Sequence, residues 1–318
     1  MTSCWIVTEG LTGTENQCLG VAEALGVIPV VKRIGLRQPW KTLSPFLGGE
    51  TTLSFTGDKL QAPWPDLLIS SGRKSIAVAR YIHRQSAGKT FIVQLQDPRI
   101  ASPVFDLIAV PTHDRRRGGN VVITEATPNR ITPQRLAEGR QDFSELLRSV
   151  PSPRVAVLIG GNSKSHKLTP AAMQTLATQL KELDRLGFGL MITTSRRTGE
   201  DNLALLKEAL KDTQAFLWDG RGDNPYFGLL GWADYILVTA DSASMISEAA
   251  TTGKPVYVIS LPGGSAKFNR LYNHLLQQGV IRLFEGPLQP YLYDPLQDAA
   301  LIAAEIRRKM GNPERNPA

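Results

Sequence analysis

The stretch Tyr235-Ile236-Leu237-Val238-Thr239-Ala240-Asp241-Ser242-Ala243-Ser244-Met245-Ile246-Ser247-Glu248, continued by AATTGKPVYVI at 249–259, decides the fold. Residues 235–239 are an apolar run without polar alternation, the pattern of a strand covered on both faces. Small and hydroxylated residues then open a helix over 244–251. Gly253 and Pro255 end it, and a second apolar run follows at 256–259. A strand, a short helix and a second strand in this order make a parallel βαβ unit.

The same alternation runs through the whole chain. Strand-type runs fall at 5–8, 28–34, 67–70, 91–95, 107–110 and 121–124, then at 155–159, 190–193, 215–218, 235–239, 256–259 and 281–284. Helical spacing lies between them at 15–25, 75–84, 171–186, 201–210, 244–251, 268–278 and 299–310. Leu176, Leu180 and Leu183 mark one face of the third, and Thr169-Pro170 starts it. These elements predict an α/β protein of two doubly wound, Rossmann-like domains. The prolines of Ser149-Val150-Pro151-Ser152-Pro153 place the expected break there, giving domains 1–150 and 151–318. The tail 311–318 carries no periodicity and reads as frayed.

Composition narrows the class. The 318 residues are 42% hydrophobic and 20% charged, which excludes a disordered chain. No apolar run reaches the ~18 residues of a membrane-spanning helix. The start, Met1-Thr2-Ser3-Cys4, lacks the pattern of a secretion signal. Two cysteines, Cys4 and Cys18, form neither a disulfide framework nor a zinc pattern, so a cytoplasmic setting is expected. The net charge is +7, with 18 Lys and Arg against 13 Asp and Glu in residues 1–150 and 18 against 16 in the rest. A basic excess in the first half suits an anionic partner or surface. Nucleic acid is not expected, because no aromatic-basic platform or recognition motif is present.

In parallel α/β sheets ligands bind beyond the carboxyl ends of the strands, so the loops there hold the candidate sites. The first loop carries Gly10, Thr12, Gly13 and Glu15; its glycines allow close backbone approach before a helix. It is neither a GxGxxG nor a Walker A loop, and its plainer reading is a turn capped by Thr14. Later loops carry Gly72, Arg73 and Lys74, then Gln96 and Asp97. The cations suit a phosphate or anionic acceptor; otherwise they are solvated side chains. His113-Asp114 is a candidate acid/base pair or a structural one. Arg115, Arg116 and Arg117 form a solvated face or meet acidic lipids.

In the second half, Gly160, Gly161, Asn162 and Ser163 form a Gly-rich turn apt for a diphosphate. Ser195 and Arg196 make a hydroxyl and cationic turn. Asp241, Ser242, Ser244 and Met245 place backbone N–H groups at a helix start. Glu248 lies one turn beyond Ser244, where a carboxylate could accept from a ribose diol. Gly264 and Lys267 belong to the next loop. No DxD-like pair is well placed, so no metal and no required cofactor is expected.

SASMISEAATTGKPVYVI (242–259), followed by a Gly-rich loop and NRLYNHLLQQGV (269–280), resembles the nucleotide-sugar site of GT-B glycosyltransferases of the MurG kind. GGNSKSHKL (160–168) and GLTGTENQCLGVAEALG (10–26) resemble the Gly loops of the two GT-B domains. Over nearly the whole chain, TEGLTGTENQCLGVAEALG, ISSGRKS, VQLQDPR, FDLIAVPTHD, GGNSKSHKL and TADSASMISEA resemble the mitochondrial-fission ELM (elongated mitochondria) family. Some of its members carry an epimerase label; the GxGxxG and YxxxK marks of a short-chain epimerase are absent here.

The GT-B resemblance implies two domains facing across a cleft, with the last helix crossing back onto the first. It implies a UDP-like nucleotide sugar on the second domain, with Glu248 holding the ribose, and an acceptor on the first. Glu15, which stands where MurG has a His, and His113 or Asp114 become the candidate bases. A metal-independent glycosyltransferase follows from this reading. The alternative is a non-catalytic GT-B-fold interaction protein at a membrane surface, cytoplasmic and peripheral to the inner membrane.

Overall fold

The computed structural model describes residues 2–101, 103–218 and 220–311; of the tail expected to fray, 312–318 lie outside the described residues. The chain forms two compact units. One holds the residues up to Arg130 together with those from Gln297 on, and the other is Ile131–Leu296.

In the first unit come β1 (Cys4–Thr8), α1 (Thr12–Leu25), β2 (Val30–Leu36), α2 (Trp40–Leu43), β3 (Phe55–Gly57), β4 (Leu67–Ser71), α3 (Ser75–Gln85), β5 (Phe91–Leu95), β6 (Leu107–Pro111) and β7 (Val121–Thr124). The strands form one sheet in the order β3-β2-β1-β4-β5-β6-β7, parallel except for the β2–β3 pair. Strand residues alternate between the two faces. Ile6, Leu67 and Ile69 pack with Cys18, Val21 and Ala22 of α1. Val7 and Leu68 pack with Ile76, Ala79 and Ile82 of α3. Covering both faces is what makes the strand runs continuously apolar. Strand β2 starts two residues later than its apolar run suggests: Pro29 intervenes, and Ile28 is left 96% exposed.

The second unit contains α4 (Pro133–Asp142), α5 (Ser144–Leu147), β8 (Arg154–Ile159), α6 (Pro170–Arg185), β9 (Gly189–Thr194), α7 (Glu200–Leu210), β10 (Phe216–Trp218), α8 (Tyr226–Trp232), β11 (Tyr235–Thr239), α9 (Ala243–Thr251), β12 (Val256–Ile259), α10 (Ala266–Gln277) and β13 (Ile281–Leu283). Its sheet is parallel, in the order β10-β9-β8-β11-β12-β13. This is the Rossmann order 3-2-1-4-5-6. Both units are therefore doubly wound, Rossmann-like domains of the α/β class. The final helix, α11 (Asp298–Met310), belongs to the first unit, where Ile302 and Ile306 share a core with Cys18 and Val21.

The units divide at Arg130/Ile131 rather than at the prolines of 149–153. Up to Arg130 the chain is tied to α1: the carbonyl of Asn129 lies against Gly20, whose added Cβ would sit 2.1 Å from it, and Arg130 pairs with Glu23 at 2.6 Å. From Ile131 on it is tied to α8. A Cβ on Gly139 would lie 2.7 Å from the Phe227 carbonyl carbon, and one on Gly231 would lie 2.5 Å from the Leu136 oxygen. Arg135 and Arg140 of α4 stack over Phe227 and Trp232 at 5.1 and 4.4 Å. Helix α5 ends before Pro151, but the Pro151 carbonyl packs against Gly189, and Leu147 and Val150 are core residues. The return is fixed by Asp298, whose two carboxylate oxygens accept the Glu125 and Ala126 N–H groups at 2.9 Å each.

Redrawn on these units, the basic excess is concentrated further. The first holds 19 Lys and Arg against 13 Asp and Glu, the second 17 against 16. Among the described residues, no helix is long and apolar enough to cross a membrane.

Candidate functional site

The strand order of the second sheet reverses between β8 and β11, which makes a crevice at their carboxyl ends. Asp241 occupies it. Its side chain is fully buried; one oxygen accepts the Thr239 hydroxyl at 2.7 Å, and the other accepts the Gly161 N–H at 3.0 Å and an Arg197 guanidinium nitrogen at 2.7 Å. Thr239 Oγ1 accepts the Gly160 N–H at 2.8 Å. These bonds give Gly160 and Gly161 a packing role that the phosphate-loop reading did not include. A Cβ on Gly160 would lie 2.2 Å from an Asp241 oxygen, and one on Gly161 would lie 2.1 Å from the Arg197 carbonyl.

Neighbouring loops are also knit internally. Ser163 Oγ accepts the Ser165 and His166 N–H groups, and Asn162 Oδ1 accepts the Leu168 N–H. Ser195 Oγ donates to the Gly160 carbonyl at 2.8 Å. Arg196, the cation singled out from sequence, is exposed; its neighbour Arg197 is the one that reaches Asp241. The doublet gave no spacing cue to choose between them. The buried carboxylate two residues past β11 was the available signal.

Helix α9 begins at this crevice. Ser242 caps it, accepting the Met245 N–H at 3.3 Å, and Ser244 and Met245 sit half-buried on its first turn. One turn on, Glu248 accepts the Tyr226 hydroxyl at 2.5 Å. Burial pushes the Glu248 carboxyl up to about 7, and the Tyr226 bond partly offsets this. Tyr226 is itself pushed well above its usual range, by burial and then by Glu248. It lies on α8, whose two glycines weaken its helical signal but whose start is marked by Asn224-Pro225, Asn224 Oδ1 accepting the Tyr226 N–H at 3.1 Å.

The loop after β12 docks on the loop after β8. Gly264 N–H donates to the Ser165 carbonyl at 2.6 Å and Lys167 N–H to the Pro262 carbonyl at 2.9 Å. This covers His166, whose ring meets Phe268 edge-on at 5.3 Å, while the Tyr272 hydroxyl donates to the Ala240 carbonyl. Lys267 is exposed on the first turn of α10. Gly160, Gly161, Ser163, Ser195, Asp241, Ser242 and Gly264 are thus linked through adjoining loops, and Ser244, Met245 and Glu248 extend the line along α9.

In the first unit the order reverses between β1 and β4. Gly10 adopts φ +79°, and its N–H donates to Thr8 Oγ1. Thr14 does not cap α1: Leu11 holds the cap position and Thr14 Oγ1 donates to its carbonyl. Thr12 and Gly13 are the first residues of the helix. Glu15 is bound by both Arg33 donors, at 2.9 and 2.7 Å, which hold its carboxyl below the usual range. Lys74 pairs with Glu9 at 2.6 Å, joining the β1 and β4 loops.

Gly72, at φ +90°, approaches Thr14; Arg73 beside it is exposed. Gln96, in a left-handed conformation at φ +74°, donates to Gln17, which also accepts from Ser71. Asp97 pairs with Arg116 at 3.2 Å. His113 and Asp114 are buried beyond β6, three strand spacings from β1, or roughly 14 Å at the usual separation. Glu15 thus lies beyond β1 and the His-Asp pair beyond β6. Of the three arginines at 115–117, Arg116 is held by Asp97 and Arg117 by carbonyls of its own loop, including Asp114 at 2.6 Å. Among the described residues, no three His, Cys, Asp or Glu side chains gather in a group able to hold a metal.

The chain is 30% identical to the mitochondrial fission protein ELM1 of Arabidopsis thaliana, over 77% of this chain and 64% of that one, so it spans less than two thirds of that relative. It is 25% identical to the uncharacterized protein RP120 of Rickettsia prowazekii, over 95% of this chain and 97% of that one. Among solved structures, the UDP-GlcNAc 2-epimerase of Methanocaldococcus jannaschii aligns over 99% of this chain and 94% of its own at a TM-score of 0.52 and 14% identity, a likeness of fold. The family model described as mitochondrial fission ELM1 matches residues 12–310, and the chain belongs to that family.

Proposed function

We propose that this protein is a GT-B-type nucleotide-sugar-binding protein whose second unit takes a UDP-like ligand at the crevice between β8 and β11. The observation that carries this is the placement of Glu248, one turn into a helix whose N-terminus opens at the strand-order reversal. The free N–H groups at the start of α9 suit a diphosphate, and a carboxylate one turn along suits a ribose diol. The loop residues Gly160, Gly161, Asn162, Ser163, Ser195, Asp241, Ser242, Ser244 and Met245 would form the floor, with Gly264, Lys267 and Arg196 at the edge.

Catalysis, in this reading, is glycosyl transfer without a metal. The glycosidic bond to the diphosphate breaks, and the negative charge that develops there is met by helix N–H groups and cations. An acceptor on the first unit would lie at the loops of Gly10, Gly72, Arg73, Gln96 and Asp97. His113 or Asp114 suits the base better than Glu15, whose ion pair with Arg33 makes it a weak proton acceptor. The fold likeness to a UDP-sugar enzyme supports the ligand class at the level of fold.

Calorimetric titration with UDP and UDP-sugars tests this reading. Saturable binding that Glu248→Ala weakens at least tenfold is expected. An unchanged baseline with all nucleotides, or equal affinity in the variant, would overturn it.

A further inference from the structure

The segment between β2 and β3 is not used by the proposed nucleotide site, and it displays three large apolar side chains to solvent. Phe46 is 73% exposed, Leu53 78% and Leu43 49%. Scattered exposed leucines are ordinary, but three within eleven residues of one segment call for a partner.

This segment is moored rather than loose. The Trp40 indole N–H donates to the Gly48 carbonyl at 3.0 Å, and the Ser44 hydroxyl donates to the Arg73 carbonyl at 3.1 Å. Glu50 is buried and accepts from both Arg80 and Arg84 of α3, while Arg80 also donates to the Pro45 and Leu47 carbonyls. The apolar side chains are thus held outward by a polar anchor beneath them. Phe46 follows Leu43 in one tight turn, through an N–H bond to its carbonyl at 2.8 Å, and the two ends of the segment meet where Arg37 N–H donates to the carbonyl of Ser54, next to Leu53, at 2.9 Å.

Charge selects the partner. Between residues 37 and 54 the charged side chains are Arg37, Lys41 and Glu50. Arg37 and Lys41 are exposed, whereas Glu50 is buried and paired. Arg73, next to the segment through Ser44, is exposed too. The visible face is therefore apolar and cationic, and the unit that carries it holds most of the chain's positive excess. Aromatic and leucyl side chains enter the boundary of a bilayer while Lys and Arg meet anionic head groups.

We propose that residues 37–54 dock the protein peripherally on an anionic lipid surface, with Leu43, Phe46 and Leu53 entering the head-group boundary and Arg37, Lys41 and Arg73 facing lipid phosphates. This places the lipid contact on the 37–54 segment of the first unit rather than on Arg115, Arg116 and Arg117, of which Arg116 is held by Asp97 and Arg117 by carbonyls of its own loop.

The test is flotation of the 318-residue chain with vesicles of phosphatidylcholine alone or with one third phosphatidylglycerol. Binding to the anionic vesicles at least tenfold above the neutral ones, reduced by salt as head-group screening requires, is expected. Combined substitution of Leu43, Phe46 and Leu53 by Ser should abolish at least nine tenths of it with the melting temperature unchanged, since these side chains support no core. Lys41→Glu should weaken it severalfold, and Arg115→Glu should leave it intact. Absence of binding by the parent, or equal binding by the triple variant, overturns the proposal. So does a parent that sediments as a dimer which the triple variant dissolves, because the face would then join two copies of the chain.

Discussion

Gly161 and Asp241 meet across the strand-order reversal of the second sheet, the glycine N–H donating to the aspartate at 3.0 Å. The same carboxylate takes Arg197 and the Thr239 hydroxyl, so three loops converge on one fully buried side chain. Gly160→Ala is expected to destabilise the protein by about 2–4 kcal/mol, because its Cβ would displace that carboxylate. Asp241→Ala is expected to cost a similar roughly 2–4 kcal/mol by leaving buried donors unpaired. Urea denaturation followed by circular dichroism measures both. A change under about 0.5 kcal/mol, the scatter of surface substitutions, would show that the carboxylate is not the clasp of these loops.

Glu248 gives a pH signature. In the folded protein its carboxyl sits at about 7, above the ordinary value of 4.5, so folding favours its protonated form. The stability this contributes is complete below pH 4.5 and is lost as the pH rises through 7. Glu248→Gln, which mimics the neutral form, should match the parent at pH 4.5 and exceed it at pH 8, by on the order of 2 kcal/mol. Melting temperatures of the pair across that range give the answer, and parallel curves would refute the buried-carboxyl account.

Tyr226 should tune the same group. Its hydroxyl favours the ionised form of Glu248, so Tyr226→Phe is expected to raise the carboxyl further. If the ionised form receives the ribose, nucleotide affinity rises through pH 7 in the parent and through a higher pH in the variant. A midpoint that does not move would separate Tyr226 from ligand binding.

Much of this architecture was legible in the amino acids. Phe91-Ile92-Val93-Gln94-Leu95 and Tyr235-Ile236-Leu237-Val238-Thr239 are strands exactly where their apolar runs lie, because residues buried on both faces of a sheet leave no room for polar alternation. Helix α4 was less visible. Its buried residue is Gly139, and it is held by glycine-to-backbone approach on α8 rather than by an apolar stripe. A start signal was nonetheless present: Thr132-Pro133 repeats the Thr169-Pro170 pair that marked α6, and Thr132 Oγ1 accepts the Arg135 N–H. Strand β3, of three residues, is too short for period-2 alternation to register. In the candidate site the residue types were readable, but the choice between Arg196 and Arg197, and the contact of Tyr226 with Glu248, depend on non-local packing.

The division of the chain at Ile131 can be tested with fragments. Residues 131–296 keep α4 on α8 and the complete β10-β9-β8-β11-β12-β13 sheet. A fragment of these residues should unfold cooperatively. A fragment of 151–318 loses α4 and carries α11, whose Ile302 and Ile306 are buried in the other unit, without their cover. It should aggregate or bind a dye for exposed apolar surface. Equal cooperativity in the two fragments would restore the prolines at 151 and 153 as the boundary.

Glu50 anchors the segment between β2 and β3 to α3. Its side chain is fully buried and receives Arg80 and Arg84, and Arg84 also donates to its carbonyl at 2.6 Å. Removing the acid leaves Arg80, which is mostly buried, facing two carbonyls without its counter-charge. Glu50→Ala is expected to cost about 3–5 kcal/mol, as for one partner of a buried pair. Arg84→Ala should cost less, about 1 kcal/mol, because that side chain is 43% exposed and its share of the pair is screened by water. Hydrogen exchange separates a local from a global effect. Since Glu50 anchors the segment that carries Phe46, amides of 40–54 should lose protection first in Glu50→Ala, while those of β4 and β5 keep theirs until the whole unit opens. Uniform loss across the unit would show that the anchor supports the core itself rather than the segment it holds.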